Sequence, residues 1–576
     1  MDEFDVLVIG SEGAGARSAI AAAETGARVG LVTKGRLGKS GATLTASADI
    51  NVDGRSIADE LCLEGDRNDS PEAFLEDILN SGRYLNNKRL AEIHVQNAPV
   101  RVKEMINWGM KVRGIIHCPG HRHPRGIFTT GREMVGALRK KLSGSNVSVK
   151  EDTMVLDLLT ARGKVVGVFG LDLRSGQFVA MKAKAVILAT GGGMMLYPYR
   201  TAPEELTGDG YAIAMRAGAR LVDMEMVQFM PCSLIQPPSL KGNHFPFNIA
   251  AESSNSLEGW LLNRQGQRFM YKWDPKRMEH STRDKLSLGI ASEIRAGRGT
   301  PGGGVYLSFA HLPGELLEYF PKWALKPQLK ENWKYEGLDF SVIGEKLEKG
   351  EAIEVGIASH FFVGGVQIDH ECRTSLEGLY AAGEVAGGLH GANRLSGNAC
   401  LEVLVEGEIA GRNAANFARN CDLVLPERDQ LDLMKEKFLL PLLNREGDSP
   451  FVNRDEIESL AWDSVGVIRC SKDLDKSLQK IDLLKGRQKN VCCGSKDRIY
   501  NREWIEALQN SNRLEVLESI IRSALARKES RGVHFREDWP KERDEFQFNL
   551  VSEQANNKVI VFRDQITGKE AGILNE

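Results

Sequence analysis

The chain has 576 residues, 42% of them hydrophobic and 27% charged, which is roughly three or four domains' worth of sequence with ample material for a core. Its 75 basic and 78 acidic residues leave a formal charge of -3, so nucleic acid and an anionic membrane are excluded as the main partner and a small molecule is expected instead. Nine cysteines lie scattered without CxxC spacing and no apolar run reaches the ~18 residues of a membrane span, which argues against a disulfide framework, a cysteine-ligated cluster in this chain and a membrane helix.

The first residues, MDEFDVLVIG, run straight into a strand, so neither a signal nor a transit peptide is expected and a cytoplasmic location follows. Residues 4–9 read as an apolar strand, 14–25 as an Ala-rich helix and 27–33 as a second strand, a β-α-β unit of the dinucleotide-binding kind. Its turn, Gly10-Ser-Glu-Gly-Ala-Gly15, meets GxGxxG at both ends but carries Glu12 in the middle, where a side chain would crowd a pyrophosphate. Gly13, followed by Ala14, can take over the close approach. The acid expected to hold a ribose after the second strand is replaced by Thr33-Lys34.

Strand-like segments between 147 and 179 lead to an apolar strand ending in Ala189-Thr190-Gly191, then to Thr-Gly-Asp209-Gly and a helix over 211–217. From about 240 to 345 the chain turns to Pro-, Trp- and Gly-rich loops without a dinucleotide signature, as an inserted capping domain would. The stretch 360–402 is the most informative. A strand at 378–382 runs into Gly383-Glu384, where backbone N–H groups and one carboxylate can meet a ribityl chain and pyrophosphate. The small-residue run at 396–400 opens a helix whose positive end can face a reduced flavin or a phosphate. His360 and Arg394 in the same stretch add a site for an anion: Arg394 offers a planar fork for a carboxylate and His360 a second donor. Beyond about 424 the sequence is charged and helical.

These residues resemble the fumarate reductase and succinate dehydrogenase flavoprotein family, which includes L-aspartate oxidase. The carriers are HGANRLSGN after AAGE, His360 before Gly364-Gly365, the 259–270 run GWLLNRQGQRFM, Ser281-Thr-Arg-Asp and the late segment KESRGVHFRED from 528 to 538. The family also tends to place a hydroxyl residue and Lys where Thr33-Lys34 stand. The resemblance implies an α/β chain: a two-segment Rossmann-like FAD-binding domain at 1–240 and 346–423, an α+β capping domain inserted at 241–345, a helical domain at 424–540 and a tail at 541–576. It implies FAD held by Gly10, Gly13, Ala14, Gly15, Thr33 and Lys34, by Ser40, Gly41 and Ala42, and by Ala189, Thr190, Gly191 and Asp209. Glu384, Asn398, Ala399, Cys400 and Leu401 complete that set. His360 and Arg394 become the substrate-carboxylate ligands and Arg283 the catalytic proton shuttle, for an oxidoreductase working on a carbon–carbon bond beside a carboxyl or acyl group. An iron–sulfur electron-transfer subunit is an expected partner and the route by which the chain would sit at a membrane.

Departures from the family bear on the substrate. VQFHPTG is written here with Met230 in place of histidine, and TEGxRGEGG becomes Ala250-Ala251-Glu252, so of that motif Glu252 is kept and the threonine is Ala251. Two donors for a second carboxylate are missing, each a charge-assisted hydrogen bond worth ~1.5–3 kcal/mol. A flatter, apolar half-pocket follows, suited to an alkyl, aryl or thioester group rather than a dicarboxylate. Plain fumarate reductase, L-aspartate oxidase and an electron-transfer subunit without a substrate are the alternatives. Members that tether FAD use a His in RSHT, whereas this chain reads Lys39-Ser-Gly-Ala-Thr43 and has no His before His94, so non-covalent FAD is expected. The family's AQGG reads Ala46-Ser-Ala-Asp49, and an ionised acid there would oppose a negative reduced flavin. His117-Cys-Pro-Gly-His121-Arg-His123 is read as a polar loop at the flavin edge, with no metal, and Cys492-Cys493 as a surface or interface thiol pair.

Overall fold

A computed structural model describes residues 1–46, 49–118, 120–243, 245, 259–320, 337–555 and 558–564. Ala251 and Glu252 lie outside the described residues. The main sheet has seven strands. Its path runs Val147–Lys150, Val29–Val32, Asp2–Ile9, Gln177–Leu188, Lys164–Asp172 and Thr153–Ala161, with Leu379–Ala381 also paired to Gln177–Leu188. The strands nearest the first unit are parallel, and Val6 to Ile9 are buried on both faces, as a central parallel strand requires.

Register decides what this sheet can do. Ile9 stands opposite Leu188, and Leu188 opposite Ala381, so three strands end side by side at one edge. The turns that follow, Gly10 to Gly13, Ala189 to Gly191 and Ala382 to Glu384, are therefore neighbours although they are far apart in the chain. Gly10 has φ +105°, and a Cβ on Gly15 would come within 1.9 Å of the Gly10 carbonyl. The turn thus closes only with glycine at both places. The helix Gly13–Glu24 packs against the long helix Asn398–Arg419, joining the first and last of these turns.

Three smaller sheets complete the sides of the site. Val227–Leu234, Ile353–Phe362, Val305–Ser308 and Trp260–Leu262 form an antiparallel sheet, so the segment 241–345 is continued on both sides by strands that flank it. Asp49–Asn51 pairs with Gly126–Phe128, which pairs with Gly114–Ile116. Leu550–Ala555 and Lys558–Arg563, inside the segment read as a tail, form one side of a five-stranded sheet whose other strands include Leu221–Val222 and Gly365–Gln367. Alternating apolar residues such as Val559 and Val561 explain the pairing, since they bury one face.

The helices Pro450–Val465, Ser471–Gln488 and Arg502–Ala526 pack on one another near the carboxyl end. Just beyond them Arg527 is fully buried, with Nε donating to Glu225 at 2.5 Å and further contacts to Asp223 and Glu529. Arg469 reaches His534 Nδ1 at 2.8 Å and the Glu225 carbonyl at 2.6 Å. The KESRGVHFRED segment thus anchors the chain just ahead of the strand that carries Met230. The thiol pair is not a surface feature: Cys493 is 0% exposed beside Trp504, and Cys492 is half-buried with its thiol donating to the Asn444 carbonyl. An apolar environment at the foot of the Arg502–Ala526 helix draws Cys493 inward.

Candidate active site

One continuous cavity of about 800 Å³ starts at the three strand ends and runs to a group of charged side chains between the main sheet and the Val227–Leu234 sheet. Near the strand ends it is lined by Gly10, Gly13, Ala14, Thr33 and Lys34, by Ser40, Gly41 and Ala42, and by Ala189, Thr190 and Gly191. Ala399 and Cys400 line it from the start of the Asn398–Arg419 helix. Lys34 donates to the Glu205 carbonyl, to Thr207 Oγ1 at 3.0 Å and to Asp209 at 3.1 Å, which ties the second strand to the 207–209 turn. Burial alone would raise the Asp209 carboxyl, but Lys34, Thr207 and Asn512 hold it below its ordinary range.

Glu384 and Glu12 behave differently. Burial pushes Glu384 up to about 8 even though its Oε1 accepts from Phe362 N at 2.9 Å. A Cβ on Gly192 would come within 2.3 Å of that carboxylate, so the turn keeps glycine there. Burial also pushes Glu12 up to about 8; its Oε2 accepts from Leu44 N, and its Oε1 is buried without a hydrogen-bond partner among the described residues, as is the Thr190 hydroxyl. Polar atoms of this kind, left open along a deep cavity beside a glycine turn and a helix start, fit a long ligand bearing hydroxyl and phosphate groups.

At the far end, Arg394 is 7% exposed and its guanidinium lies 4.3 Å from the centre of the Phe361 ring. Gln228 holds it from below: the Arg394 Nη2 donates to Gln228 Oε1 at 3.1 Å while Gln228 Nε2 donates to the Arg394 carbonyl at 2.9 Å. The Nε of Arg394 has no hydrogen-bond partner among the described residues. Burial, then the neighbouring Arg283, pulls Arg394 down to about 10, so it stays charged at neutral pH. Arg283 opens the helix Arg283–Arg295 and donates to Ser396 Oγ at 3.0 Å; Ser396 donates on to Asp49 Oδ2 at 3.0 Å, and the Cys118 thiol donates to the same oxygen at 3.0 Å. Burial lowers Arg283, and Asp49 and Cys118 oppose that shift. His360 bonds Thr201 Oγ1 through Nδ1 at 2.8 Å, and Met230, 6% exposed, lines the same cavity.

The structure thus brings Arg283, His360, Arg394 and Met230 to one cavity with most of the residues read as cofactor contacts, Glu384 and Asp209 among them. Gly15, Asn398 and Leu401 do not line it. Gly15 packs on Gly10, Asn398 accepts from Asn51 at 2.7 Å, and Leu401 is fully buried in the core. The three histidines of the 117–123 loop go separate ways: His117 Nε2 contacts the His121 carbonyl, His121 sits against Asn51 and the Ser396 carbonyl, and His123 pairs with Asp66. Gln228, Ser396, Cys118 and Phe361 were not singled out from the sequence. A lone amide in the apolar run VQFM signals a required partner, so Gln228 was findable; the others carry no such signal.

A family model for the FAD binding domain matches residues 5–400, and one for the fumarate reductase flavoprotein C-terminus matches residues 454–567. The chain belongs to the fumarate reductase and succinate dehydrogenase flavoprotein family. This flavoprotein is 35% identical to a subunit of the CoM/CoB fumarate reductase of Methanothermobacter marburgensis, over 95% of this chain and 97% of that one. It is 32% identical to L-aspartate oxidase of Yersinia pestis, covering 93% and 96% of the two chains. Among solved structures, Mycobacterium smegmatis Sdh1 in complex with UQ1 superposes with a TM-score of 0.85 at 31% identity, covering 98% of this chain and 94% of that one. The flavoprotein is an FAD-dependent oxidoreductase acting on CH–CH groups, and the open polar atoms and glycine turns described above fit FAD.

At the cavity wall, Glu402 approaches His390 to 3.2 Å without the alignment of a hydrogen bond; behind them His94 is 1% exposed with neither ring nitrogen hydrogen-bonded among the described residues. Burial, with His390 nearby, pulls His94 from 6.5 down to about 3. Between those values the unfolded chain holds a proton on His94 that the folded chain does not, so stability falls as pH falls, by about 1.4 kcal/mol per unit for this group. Replacing the ring, as His94→Leu, should flatten that slope. Denaturant melts of parent and variant between pH 6.5 and 4 will show the parent losing ground; a pH-independent difference would mean that folded His94 carries its proton.

Proposed function

We propose that this flavoprotein holds FAD without a covalent bond and acts on a carbon–carbon bond next to one carboxyl or acyl group, with a substituent other than a second carboxylate on the far carbon. The observation that carries this reading is Met230, a thioether in the cavity wall shared with Arg394, His360 and Arg283 where a histidine donor is the family pattern. Ala251, outside the described residues, removes the companion hydroxyl.

Gly10, Gly13, Thr190 and Glu384 would hold FAD along the strand ends, with the start of the Asn398–Arg419 helix facing it. FAD, when bound, supplies the hydride exchange with one substrate carbon. Arg394 and His360 then fix the carboxyl or acyl oxygen, and the Phe361 face and Gln228 keep the Arg394 fork in one orientation. Arg283 delivers or accepts the proton at the opposite carbon. A guanidinium is a poor acid in water, and burial of the Arg283 head is what brings its acidity within reach. Met230 and the surrounding apolar wall exclude water from the bond that changes.

An iron–sulfur partner chain is part of this proposal, since the cysteines here lack cluster spacing and the Methanothermobacter relative is named as one subunit of its enzyme. Such a partner would also bring the chain to a membrane; no helix among the described residues is long and apolar enough to cross one. Fumarate reduction is the second reading, favoured by the names of relatives, with L-aspartate oxidation beside it. A carrier without a substrate is disfavoured by the retained Arg283, His360 and Arg394.

Acid precipitation should release the yellow colour into the supernatant; a pellet that keeps its flavin would show a tether. Screening enoates and enoyl thioesters for reoxidation of the reduced protein identifies the substrate. With it, Arg283→Lys should lose far more than tenfold in turnover, where tenfold is about 1.4 kcal/mol of barrier, while flavin content stays at the parent's level. Met230→His combined with Ala251→Thr should tighten fumarate, followed by the flavin spectral shift, and impair the native substrate. Rapid fumarate turnover by the unmodified protein would leave the fumarate reductase reading standing in its place.

A further inference from the structure

The Asp49–Ser396–Arg283 chain is assembled from three distant parts of the sequence. Asp49 begins the strand Asp49–Asn51, Ser396 precedes the Asn398–Arg419 helix and Arg283 starts the Arg283–Arg295 helix. Asp49 lines the cavity, and its Oδ2 accepts from both Ser396 and Cys118 at 3.0 Å. The serine hydroxyl sits between carboxylate and guanidinium, so the acid is held beside Arg283 without forming a direct ion pair that would turn either group away from the cavity.

The charges at this end can be counted. Arg283 and Arg394 supply two positive charges. Glu384 and Glu402, which also line the cavity, are pushed up to about 8 by burial and are largely neutral at pH 7. Asp49 opposes the downward shift of both arginines, first among the charges on Arg283 and after Glu384 on Arg394.

We propose that Asp49 is a specificity-determining residue: held beside Arg283 through Ser396, it sets a negative charge against the two arginines and lowers the positive charge of this end of the cavity, which favours a monoanion over a dianion. The inference deepens the reading under which the two arginines face a substrate with one carboxyl, and it names the charge of that substrate. The far substituent is uncharged, because the wall it meets offers the Met230 thioether in place of a donor.

Electrostatic energy scales with ligand charge, which makes the proposal testable without the native substrate. FAD-loaded parent, Asp49→Asn and Asp49→Glu are titrated with crotonate and with fumarate, and binding is read from the flavin spectrum; bound FAD and melting temperature confirm an intact fold. The parent should prefer crotonate by tenfold or more. In Asp49→Asn the fold-gain for fumarate should be about the square of that for crotonate, so the preference shrinks or reverses, and Asp49→Glu should keep the parent's ratio. Equal gains for both anions, no gain, or no anion binding by parent and variant would each overturn the proposal. Tight binding of L-aspartate that is lost in Asp49→Asn would overturn it too, because Asp49 would then be a ligand for an ammonium group. The two readings fail separately. Rapid fumarate turnover by the parent defeats the single-carboxyl substrate, whereas an unchanged ratio in Asp49→Asn with no fumarate turnover defeats the role of Asp49 and leaves that of Met230 in place.

Discussion

The in-register ending of three parallel strands, at Ile9, Leu188 and Ala381, is the constraint from which the rest of the site follows. Parallel strands carry their turns at one edge of the sheet, so aligning their ends places three glycine-containing turns within reach of one extended ligand. The register is held by burial on both faces: slipping any of these strands would expose Val6, Val8, Val186 or Ile187, all with no exposed surface. The helix Asn398–Arg419 packs against the last of these turns, where Glu406 accepts from Gly383 N at 2.8 Å, and on the helix that leaves the first, so cavity-lining residues from distant parts of the chain share one frame.

A second constraint acts at the end of the cavity that holds Arg283 and Arg394. Two guanidinium groups are kept close together in a mostly buried setting, where like charges repel strongly. Their arrangement persists because each has dedicated partners: Gln228 and the Phe361 ring for Arg394, Ser396 and Asp49 for Arg283. Each arginine keeps one nitrogen buried without a hydrogen-bond partner among the described residues, Nε of Arg394 and Nη1 of Arg283, so both retain donor capacity for a ligand. The wall bearing Met230 is itself fixed from the carboxyl-terminal side, where Arg527 and Arg469 engage Glu225 and its carbonyl two residues before the strand begins. Removing either partner from such a buried pair typically costs ~3–5 kcal/mol, so the remote segment secures the geometry of the wall.

Much of this was legible in the sequence, because it depends on local pattern. The alternation of strand, glycine turn and helix at 4–33 sets the first β-α-β unit, and Arg283, His360, Arg394 and Met230 all line the cavity because each sits in a short motif whose backbone shape is local. Residue type alone also marks what each position offers: a planar guanidinium fork at Arg394, a thioether at Met230 and no histidine before His94. Tertiary structure decided the rest. Gly15, Asn398 and Leu401 turn away from the cavity, since a helix offers only part of its surface to any one neighbour and adjacent residues point about 100° apart. Asp49, Cys118, Ser396 and Arg283 meet only after more than 300 residues of chain are folded back, and no periodicity along the chain encodes such a meeting. Cys493 is buried for the same kind of reason, because strand residues more than 300 positions earlier, among them Met154, Phe169 and Leu171, join Trp504 in the apolar cluster that covers it.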